Sequence, residues 1–344
     1  MLSSEESATT EQVQMEEMEE KRDIALWYWF LFESNLSTQR AKTLLADWQK
    51  RDLILEDVLA RLPQEAKSLG LTPQEARQLR PLASFSSSSA APDAVAWDEA
   101  LYPNGLRDLP LSHRPALLFY RGSSSPLQRL ILYLPPAPLD ADDEVTRELL
   151  QETLSIVMGE EYLPAAFHGS EQATLLLDAM RANAGEVLLF TYAGLENVDL
   201  SKRERAYLAD ERLILATPLP PQTPANPAWE PILHQSAEAA AARCLGHDLA
   251  GIQRHEKLRR PTLLIRNEEP EGALPAHIHV ATTATDVLLW LAGASETPDP
   301  ASAGADDLIA APSEPPPTPE ETLRILEASG DVPDAIKKRL LEKS

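Results

Sequence analysis

The chain has 344 residues, 43% of them hydrophobic, so it can bury one large core and still carry small additional segments. Its 31 basic residues are outnumbered by 54 acidic ones, which gives a formal net charge of -23. Such an acidic surface repels phosphate backbones at long range and argues against general affinity for nucleic acid, although a local basic groove is compatible with it.

The cysteine content and the amino-terminal sequence bear on the cellular location of the protein. The single cysteine, Cys244, excludes an internal disulfide and a Cys-x-x-Cys zinc pair, and we expect it to be a small buried side chain. The first residues lack the basic and apolar regions of a signal peptide. Residues 24–32 are apolar but too short to span a bilayer. We therefore predict a cytoplasmic protein with no membrane partner.

The amino-terminal part of the chain predicts a small helical bundle. Residues 1–20 are acidic and poor in core residues, which indicates a disordered lead-in or the first turns of a helix. Apolar residues then recur at helical spacing, so we predict about four helices within residues 21–83. Thr72-Pro73-Gln74-Glu75 is typical of a capped helix start, and Asp52 is a second candidate cap. The serine-rich residues 84–92 predict a flexible linker.

Residues 95–122 predict the start of an α/β domain. The tetrapeptide Tyr102-Pro103-Asn104-Gly105 predicts a turn, because proline presets φ while asparagine and glycine tolerate positive φ. Pro110 and Pro115 then keep the chain extended as far as Leu117–Tyr120, an apolar run that is typical of a strand.

Short apolar runs alternate with helical patterns in the next part of the chain. Strands are predicted at residues 130–134, 165–167, 186–192, 212–217, 262–266 and 278–281, and helices at 142–157, 170–184, 201–209, 232–245 and 286–291. Gly185 is expected to cap the end of the second of these helices, and Thr283 or Thr285 the start of the last. The alternation predicts an α/β fold with a doubly wound, mostly parallel, Rossmann-like sheet, preceded by the small helical bundle.

The carboxyl-terminal sequence changes character again. Residues 294–319 are rich in Ala, Pro, Ser, Asp and Glu and predict a disordered linker. Residues 320–344 contain two short helical patterns, which we interpret as a pair of docking helices; their apolar residues are Leu323, Ile325 and Leu326 in one and Ile336, Leu340 and Leu341 in the other.

Two stretches of the sequence resemble a known family. The run Tyr102-Pro103, Leu106-Arg107, Pro115 and Leu118–Gly122 is similar to the segment that opens the Rossmann-like domain of the DprA/Smf DNA-processing family. Gly194-Leu195 and the Pro220-Pro221-Gln222-Thr223-Pro224 loop are similar to that family's Gly-Leu turn and PPxTP loop.

The resemblance covers residues 23–292 and carries expectations about fold and activity. It implies a Rossmann-like domain at residues 93–293 and a helical module of the SAM or helix-hairpin-helix kind at residues 21–83. It further implies a protein that has no catalytic residues, binds single-stranded DNA, and helps to load a RecA-type recombinase during DNA uptake or recombination. Members of the family are often homodimers, which makes a homodimer an expectation here as well.

The family's nucleic-acid site, as the resemblance implies it, uses two glycine-containing turns because glycine lets backbone N–H groups approach a phosphate. Here the first turn is replaced by Pro135 and Pro136 and by an acidic run, residues 140–144, which removes donors and adds negative charge. The second turn keeps Gly169 and Ser170 at a helix start, where an anion could bind. Ser170 fits an ordinary helix cap equally well.

Basic residues are concentrated in one segment of the sequence, which holds Arg254, Lys257, Arg259 and Arg260. Two interpretations stay open: a groove for single-stranded DNA, or a helix end whose cations face solvent. Arg107 and Arg121 belong to the matched opening segment and are further candidates for DNA binding.

The sequence offers little for catalysis. It contains no GxSxG, P-loop, HExxH or complete GxGxxG motif, and we predict no catalytic residues and no cofactor. His277-x-His279 places two imidazoles on one strand face without an identifiable third ligand, so we predict no metal site. Two functions stay open: a DprA/Smf-like protein that binds single-stranded DNA and a recombinase or another protein partner, or a Rossmann-like scaffold that serves as a protein-interaction or small-ligand-sensing module without DNA binding.

Overall fold

A computed structural model describes residues 24–80, 93–138, 144–158, 162–248, 260–266 and 274–292. Its strands are β1 Ala94–Ala96, β2 Leu117–Arg121, β3 Leu130–Tyr133, β4 Tyr162–Phe167, β5 Val187–Phe190, β6 Leu213–Thr217, β7 Arg243–Gly246, β8 Thr262–Ile265 and β9 Ile278–Ala281. They form a sheet in the order β1-β2-β6-β5-β4-β3-β7-β8-β9. β1 and β2 pair antiparallel, as do β2 and β6, whereas the pairs formed by β3, β4, β5, β7, β8 and β9 are parallel. The predicted α/β fold with a mostly parallel sheet is confirmed.

Helices occupy both the amino-terminal module and the connections between strands. They are α1 Thr38–Lys50, α2 Leu55–Glu65, α3 Pro73–Gln78, α4 Asn104–Arg107, α5 Glu144–Val157, α6 Glu171–Ala182, α7 Lys202–Ala209, α8 Glu230–Ala240 and α9 Ala284–Leu291. Residues 24–28 are also helical and continue into a π-helix, Trp29–Glu33. Among the described residues, every helix is too short or too polar to cross a bilayer.

The chain divides into two compact units. The first unit comprises residues 1–128, 191–208 and 215–236, and the second comprises residues 129–190, 209–214 and 237–344. The predicted lead-in 1–20, the linkers 84–92 and 294–319, and the carboxyl-terminal residues 320–344 lie outside the described residues.

In the first unit the helical module packs against the segment that opens the α/β domain. The Trp27 ring meets the Trp97 ring edge-on with 5.8 Å between centroids, and the Tyr28 and Phe32 rings each lie 6.1 Å from that of Phe119. The aromatic run near the amino terminus is therefore core, because it fills the space between the module and β2.

Aromatic rings and arginine side chains hold the second unit together. The rings of Tyr133, Phe167 and Phe190 pack with centroid separations of 5.9 to 6.4 Å. Arg129 forms an ion pair with Glu186 at 2.8 Å. Strands β4, β5 and β6 are buried along their whole length, which explains why the sequence shows continuous apolar runs rather than alternation.

Two of the predicted helix starts are confirmed. Thr72 and Glu75 form a reciprocal capping box at α3, and Arg40 binds the Glu75 carboxylate at 2.7 Å. Thr283 caps α9 in the same reciprocal way with Asp286. In both cases the side chains satisfy backbone N–H groups that the first helical turn leaves without partners.

Two predicted local features of the first unit are wrong. The turn at Tyr102–Gly105 is instead the approach to α4, where neither Asn104 nor Gly105 has positive φ. The Tyr102 hydroxyl donates to the carbonyl oxygen of Pro115 at 2.7 Å and so joins the two ends of the 102–115 loop. Asp52 does not cap α2: it adopts φ 53°, and the residue at the N-cap is Ile54.

In the second unit the predicted helix 232–245 is wrong at its end. α8 stops at Ala240, and β7 follows between β3 and β8, with Cys244 fully buried. Gly185 does not cap α6, because the C-cap residue is Asn183 with an extended backbone. A Cβ atom at Gly185 would lie 2.7 Å from the Met158 carbonyl oxygen, so close packing is what requires glycine there.

Lys42 carries a buried ammonium group in the first unit. Its side chain is 8% exposed, and Nζ donates to the Ser112 carbonyl oxygen at 3.3 Å. Burial, and then the nearby charge of Arg114, lower the pKa of Lys42 from 10.5 to about 8. Between these two values the unfolded chain holds more protons than the folded chain, so the stability that depends on Lys42 rises with pH across that window.

We expect Lys42→Met to raise the free energy of unfolding near neutral pH by roughly 1–3 kcal/mol, because it removes a buried charge. The gain should shrink at about pH 10, where the folded protein already holds Lys42 largely neutral. Urea unfolding of both proteins at the two pH values measures it. Lys50→Met, at an exposed position on the same helix, should change stability by less than about 0.5 kcal/mol. A loss of stability in Lys42→Met near neutral pH would contradict the assignment.

Candidate functional site

The loop after β3 occupies the place where a phosphate-binding turn would lie, at the carboxyl end of a parallel strand. Pro135, Pro136 and Pro138 have no backbone N–H. The carbonyl oxygen of Ala137 accepts a hydrogen bond from the Gln172 amide, and that of Pro138 lies 3.1 Å from His247 Nε2. The loop therefore binds its own neighbours through carbonyl oxygens and presents almost no donors. Residues 140–143 of the acidic run lie outside the described residues, and Glu144 begins α5.

The turn after β4 holds the predicted anion-binding pair. Gly169 has φ 81°, and nothing lies within 4 Å of where its Cβ would be, so backbone conformation alone favours glycine. Ser170 Oγ accepts from the Ala173 N–H at 3.1 Å and donates to the Phe167 carbonyl oxygen at 2.7 Å. The Glu171 carboxylate adds negative charge in the first turn of α6. This geometry matches the helix-cap interpretation, and anion binding at Gly169 and Ser170 stays a prediction.

Of the four basic residues in the segment 254–260, only Arg260 lies within the described residues. Arg254, Lys257 and Arg259 lie outside the described residues, and their DNA-binding role stays a prediction. Arg260 is half-buried just before β8, and its guanidinium donates to the Ala239 carbonyl oxygen at 2.9 Å. Arg260 therefore anchors the end of α8, whatever else it contacts.

The two arginines of the opening segment have different surroundings. Arg107 donates to the carbonyl oxygens of Trp97 and Glu99 at 3.3 and 2.6 Å and to Asn104 Oδ1 at 3.1 Å. It therefore ties the 97–107 loop together. Arg121 is half-buried at the end of β2, and its side chain makes no hydrogen bond or ion pair within the described part of the chain.

The register of β2 places Arg121 away from the edge where nucleotides usually bind. Arg121 lies opposite Leu215. Because β2 runs antiparallel to β6, its carboxyl end points toward the amino end of β6. Ligands in sheets of this type bind at the carboxyl ends of the parallel strands. Arg121 as a DNA contact stays a prediction, and the sheet register gives it no support.

The two sequence motifs that resemble the DprA/Smf family meet in space. A Cβ atom at Gly194 would lie 2.1 Å from the Pro220 carbonyl oxygen and 2.3 Å from that of Pro221. The Gly194 N–H donates to the Thr223 carbonyl oxygen at 2.8 Å, and the Glu196 N–H donates to that of Pro221 at 3.0 Å. The Gly-Leu turn and the PPxTP loop are therefore the two sides of one backbone contact, which only glycine permits.

Near Gly194 in the sequence is Tyr192, which interacts with His234, a pair that the sequence analysis did not identify. Tyr192 Oη lies 3.3 Å from His234 Nε2, and their ring centroids are 5.7 Å apart. Burial, and then the Glu230 carboxylate, raise the pKa of Tyr192 to about 12, so the phenol stays protonated and can donate. Trp229, in the turn before α8, is 39% exposed. The signals in the sequence were a tyrosine two residues after a buried strand and a tryptophan in a proline-rich loop.

Comparison with known proteins bears on the fold. No protein-family model matches the sequence, and no curated protein matches it. The structure is similar to the crystal structure of DNA processing protein A (DprA) from Streptococcus pneumoniae, with a TM-score of 0.56, 15% identity, and coverage of 77% of this chain and 96% of that one. The chain has the DprA fold. This confirms the Rossmann-like fold that the resemblance implied.

A second solved structure is more distant. It is DNA processing protein A from Helicobacter pylori, described for its single-stranded DNA binding mode, with a TM-score of 0.41 and 8% identity. The similarity covers 52% of this chain and 82% of that one.

The close backbone contact at Gly194 should make this position sensitive to any side chain. Gly194→Ala should lower the free energy of unfolding by roughly 2–4 kcal/mol, because the backbone of Pro220 and Pro221 must move to admit a methyl group. Gly169→Ala is the matched control and should cost only about 1–2 kcal/mol, since its position is open and the penalty comes from φ alone. Urea unfolding curves measure both, and equal losses would contradict the backbone contact.

Proposed function

We propose that the protein is a DprA-like DNA-processing factor. In this proposal it binds single-stranded DNA without catalysing a reaction and assists a RecA-type recombinase in DNA uptake or recombination, with a homodimer as its expected form. The observation that carries the proposal is the fold similarity, which extends over 96% of the Streptococcus pneumoniae DprA chain. The Gly194 contact supports it, because it joins the two matched motifs in one structural feature.

The mode of DNA binding in this proposal relies on side-chain cations. The loop after β3 lacks N–H donors, and Ser170 is used to cap α6. Backbone amides at these turns therefore supply little for a phosphate. The proposed phosphate contacts come from Arg254, Lys257 and Arg259, where positive charge is densest in the sequence.

The exposed indole of Trp229 is a separate candidate contact for DNA. An aromatic face that is open to solvent can stack on an unpaired base, which contributes about 1–3 kcal/mol without regard to sequence. Stacking of this kind needs no neighbouring cation, so it is compatible with the acidic charge of the chain.

A second function is favoured by one specific observation. The carbonyl oxygens of the proline-rich loop after β3 are engaged with Gln172 and His247, which closes the turn that would otherwise receive a phosphate. A scaffold with a closed turn and a net charge of -23 suits a protein-interaction or small-ligand-sensing module without DNA binding. DNA binding as a function of salt separates the two proposals.

We expect the full chain to bind a fluorescent oligothymidine with an affinity that falls as salt rises. Replacing Arg254, Lys257 and Arg259 together with alanine should reduce the slope of log K against log salt by about 2, since each lost single-strand contact removes about 0.7. Fluorescence anisotropy at several salt concentrations measures the slope.

The matched control replaces Arg51, Arg61 and Arg77, three exposed arginines of the helical module, with alanine. It changes net charge by the same amount and should leave the slope near its original value. An affinity no better than about millimolar at low salt, or a binding curve without salt dependence, would remove the DNA-binding proposal and favour the interaction module.

A further inference from the structure

A cavity of about 550 Å³ lies in the first unit, where residues of the helical module and of the 97–114 segment line it together. A volume of this size is typical of small-molecule sites. Three buried tryptophans, Trp27, Trp48 and Trp97, contribute to the lining. The Trp27 and Trp97 rings meet edge-on, with 5.8 Å between their centroids. This aromatic wall suits a ligand with an apolar or aromatic body.

Two arginines at the same cavity supply positive charge. Arg107 and Arg114 both line it and are half-buried. Hydrogen bonds to the 97–109 loop engage three N–H groups of each guanidinium, and on Arg114 these belong to Nε and Nη2. A guanidinium has five N–H donors, so two remain on each arginine. The loop therefore holds both groups in place without neutralising them, which preorganises a site for a carboxylate.

Carboxylates lie beside these arginines. Asp98 lines the cavity and accepts a hydrogen bond from Gln49 at 3.0 Å, and Asp52 and Glu56 add further carboxylates to the lining. Partial burial raises the pKa of Asp98, whereas its hydrogen bonds and the positive charge of Arg107 oppose that rise. Arg107 is thus near enough to act on Asp98, yet the two form no ion pair within the described part of the chain. Opposite charges therefore lie side by side at this cavity.

This combination of groups restricts the class of ligand. A simple cation would be repelled by the two arginines, and a simple anion would be repelled by the carboxylates. An α-amino acid carries its ammonium and its carboxylate on the same carbon atom, so it presents each charge to a neighbouring group of opposite sign. A large apolar side chain on that carbon then packs against the tryptophans and gains from leaving water.

We propose that this cavity binds a free amino acid with a large apolar side chain, such as phenylalanine. The ligand carboxylate contacts Arg107 and Arg114, its ammonium contacts Asp98, and its side chain packs against Trp27 and Trp97. The helical module and the 97–114 segment then share one ligand, so occupancy stabilises the contact between them. This site goes beyond the proposed function, because the basic residues at 254–259 take no part in it.

Calorimetric titration of the full chain with matched probes tests the proposal. L-phenylalanine should bind with a Kd of about 1 mM or tighter. N-acetyl-L-phenylalanine lacks the ammonium, L-phenylalaninamide lacks the carboxylate, and L-alanine lacks the ring, so each should bind about tenfold more weakly. The dipeptide L-leucyl-L-phenylalanine keeps both charges but holds them farther apart, and it should also bind more weakly than phenylalanine.

A variant of one lining residue provides the second arm of the test. Asp98→Asn removes the negative charge and keeps an oxygen that can accept from Gln49. It should weaken phenylalanine binding about tenfold and bring it close to that of N-acetyl-L-phenylalanine, which has no ammonium for Asp98 to contact. The matched control is Asp199→Asn, an exposed position of the same unit that does not line the cavity, and it should leave phenylalanine binding unchanged.

Circular dichroism confirms that each variant is folded. Several results would each overturn the proposal: no binding of phenylalanine at millimolar concentration, equal affinity for phenylalanine and its acetylated or amidated forms, or an Asp98→Asn variant that binds phenylalanine as tightly as the unchanged chain. Tighter binding of the dipeptide than of phenylalanine would overturn the assignment to a free amino acid.

Discussion

The backbone contact at Gly194 is the constraint that holds the loop after β5 and the loop after β6 together. It brings the loop after β5 against the loop after β6, with carbonyl oxygens of Pro220 and Pro221 where a side chain would otherwise begin. The Gly-Leu turn and the PPxTP loop, which lie more than 20 residues apart in the sequence, form the two sides of this contact. Tyr192 precedes Gly194 in the first of these loops, and its hydroxyl lies 3.3 Å from Nε2 of His234 in α8.

Arginine side chains have a structural role in both units. In both units arginine guanidinium groups donate to backbone carbonyl oxygens: Arg107 and Arg114 in the first, and Arg129, Arg212 and Arg243 in the second. Each such hydrogen bond occupies one of the five N–H donors of a guanidinium group and fixes its orientation. These guanidinium groups keep their charge but are held against the backbone, so the proposed DNA site uses basic residues outside these loops.

Most strands of the sheet could be predicted from the sequence. Continuous apolar runs such as Val187–Phe190 and Leu213–Thr217 are typical of strands that are buried on both faces. β7 was missed because Arg243–Gly246 follows an alanine-rich helix with no turn signal between them. The hydrogen-bond partners of Arg107 could not be predicted from the sequence. They are mainly backbone carbonyl oxygens, which every residue has, so no residue type marks them. At Ser170, by contrast, a serine before a helix made an N-cap one of the two interpretations, and the structure shows that cap.

In our proposal the chain binds single-stranded DNA through the basic side chains of Arg254, Lys257 and Arg259 rather than through backbone amides of the turns after β3 and β4. Hydrogen–deuterium exchange of the full chain, with and without oligothymidine, tests it directly. We expect DNA to slow exchange in peptides that cover residues 249–260 and to leave exchange in the turn at residues 168–172 unchanged. Protection at residues 168–172 without protection at 249–260, or no protection in either peptide under conditions of saturating binding, would contradict it.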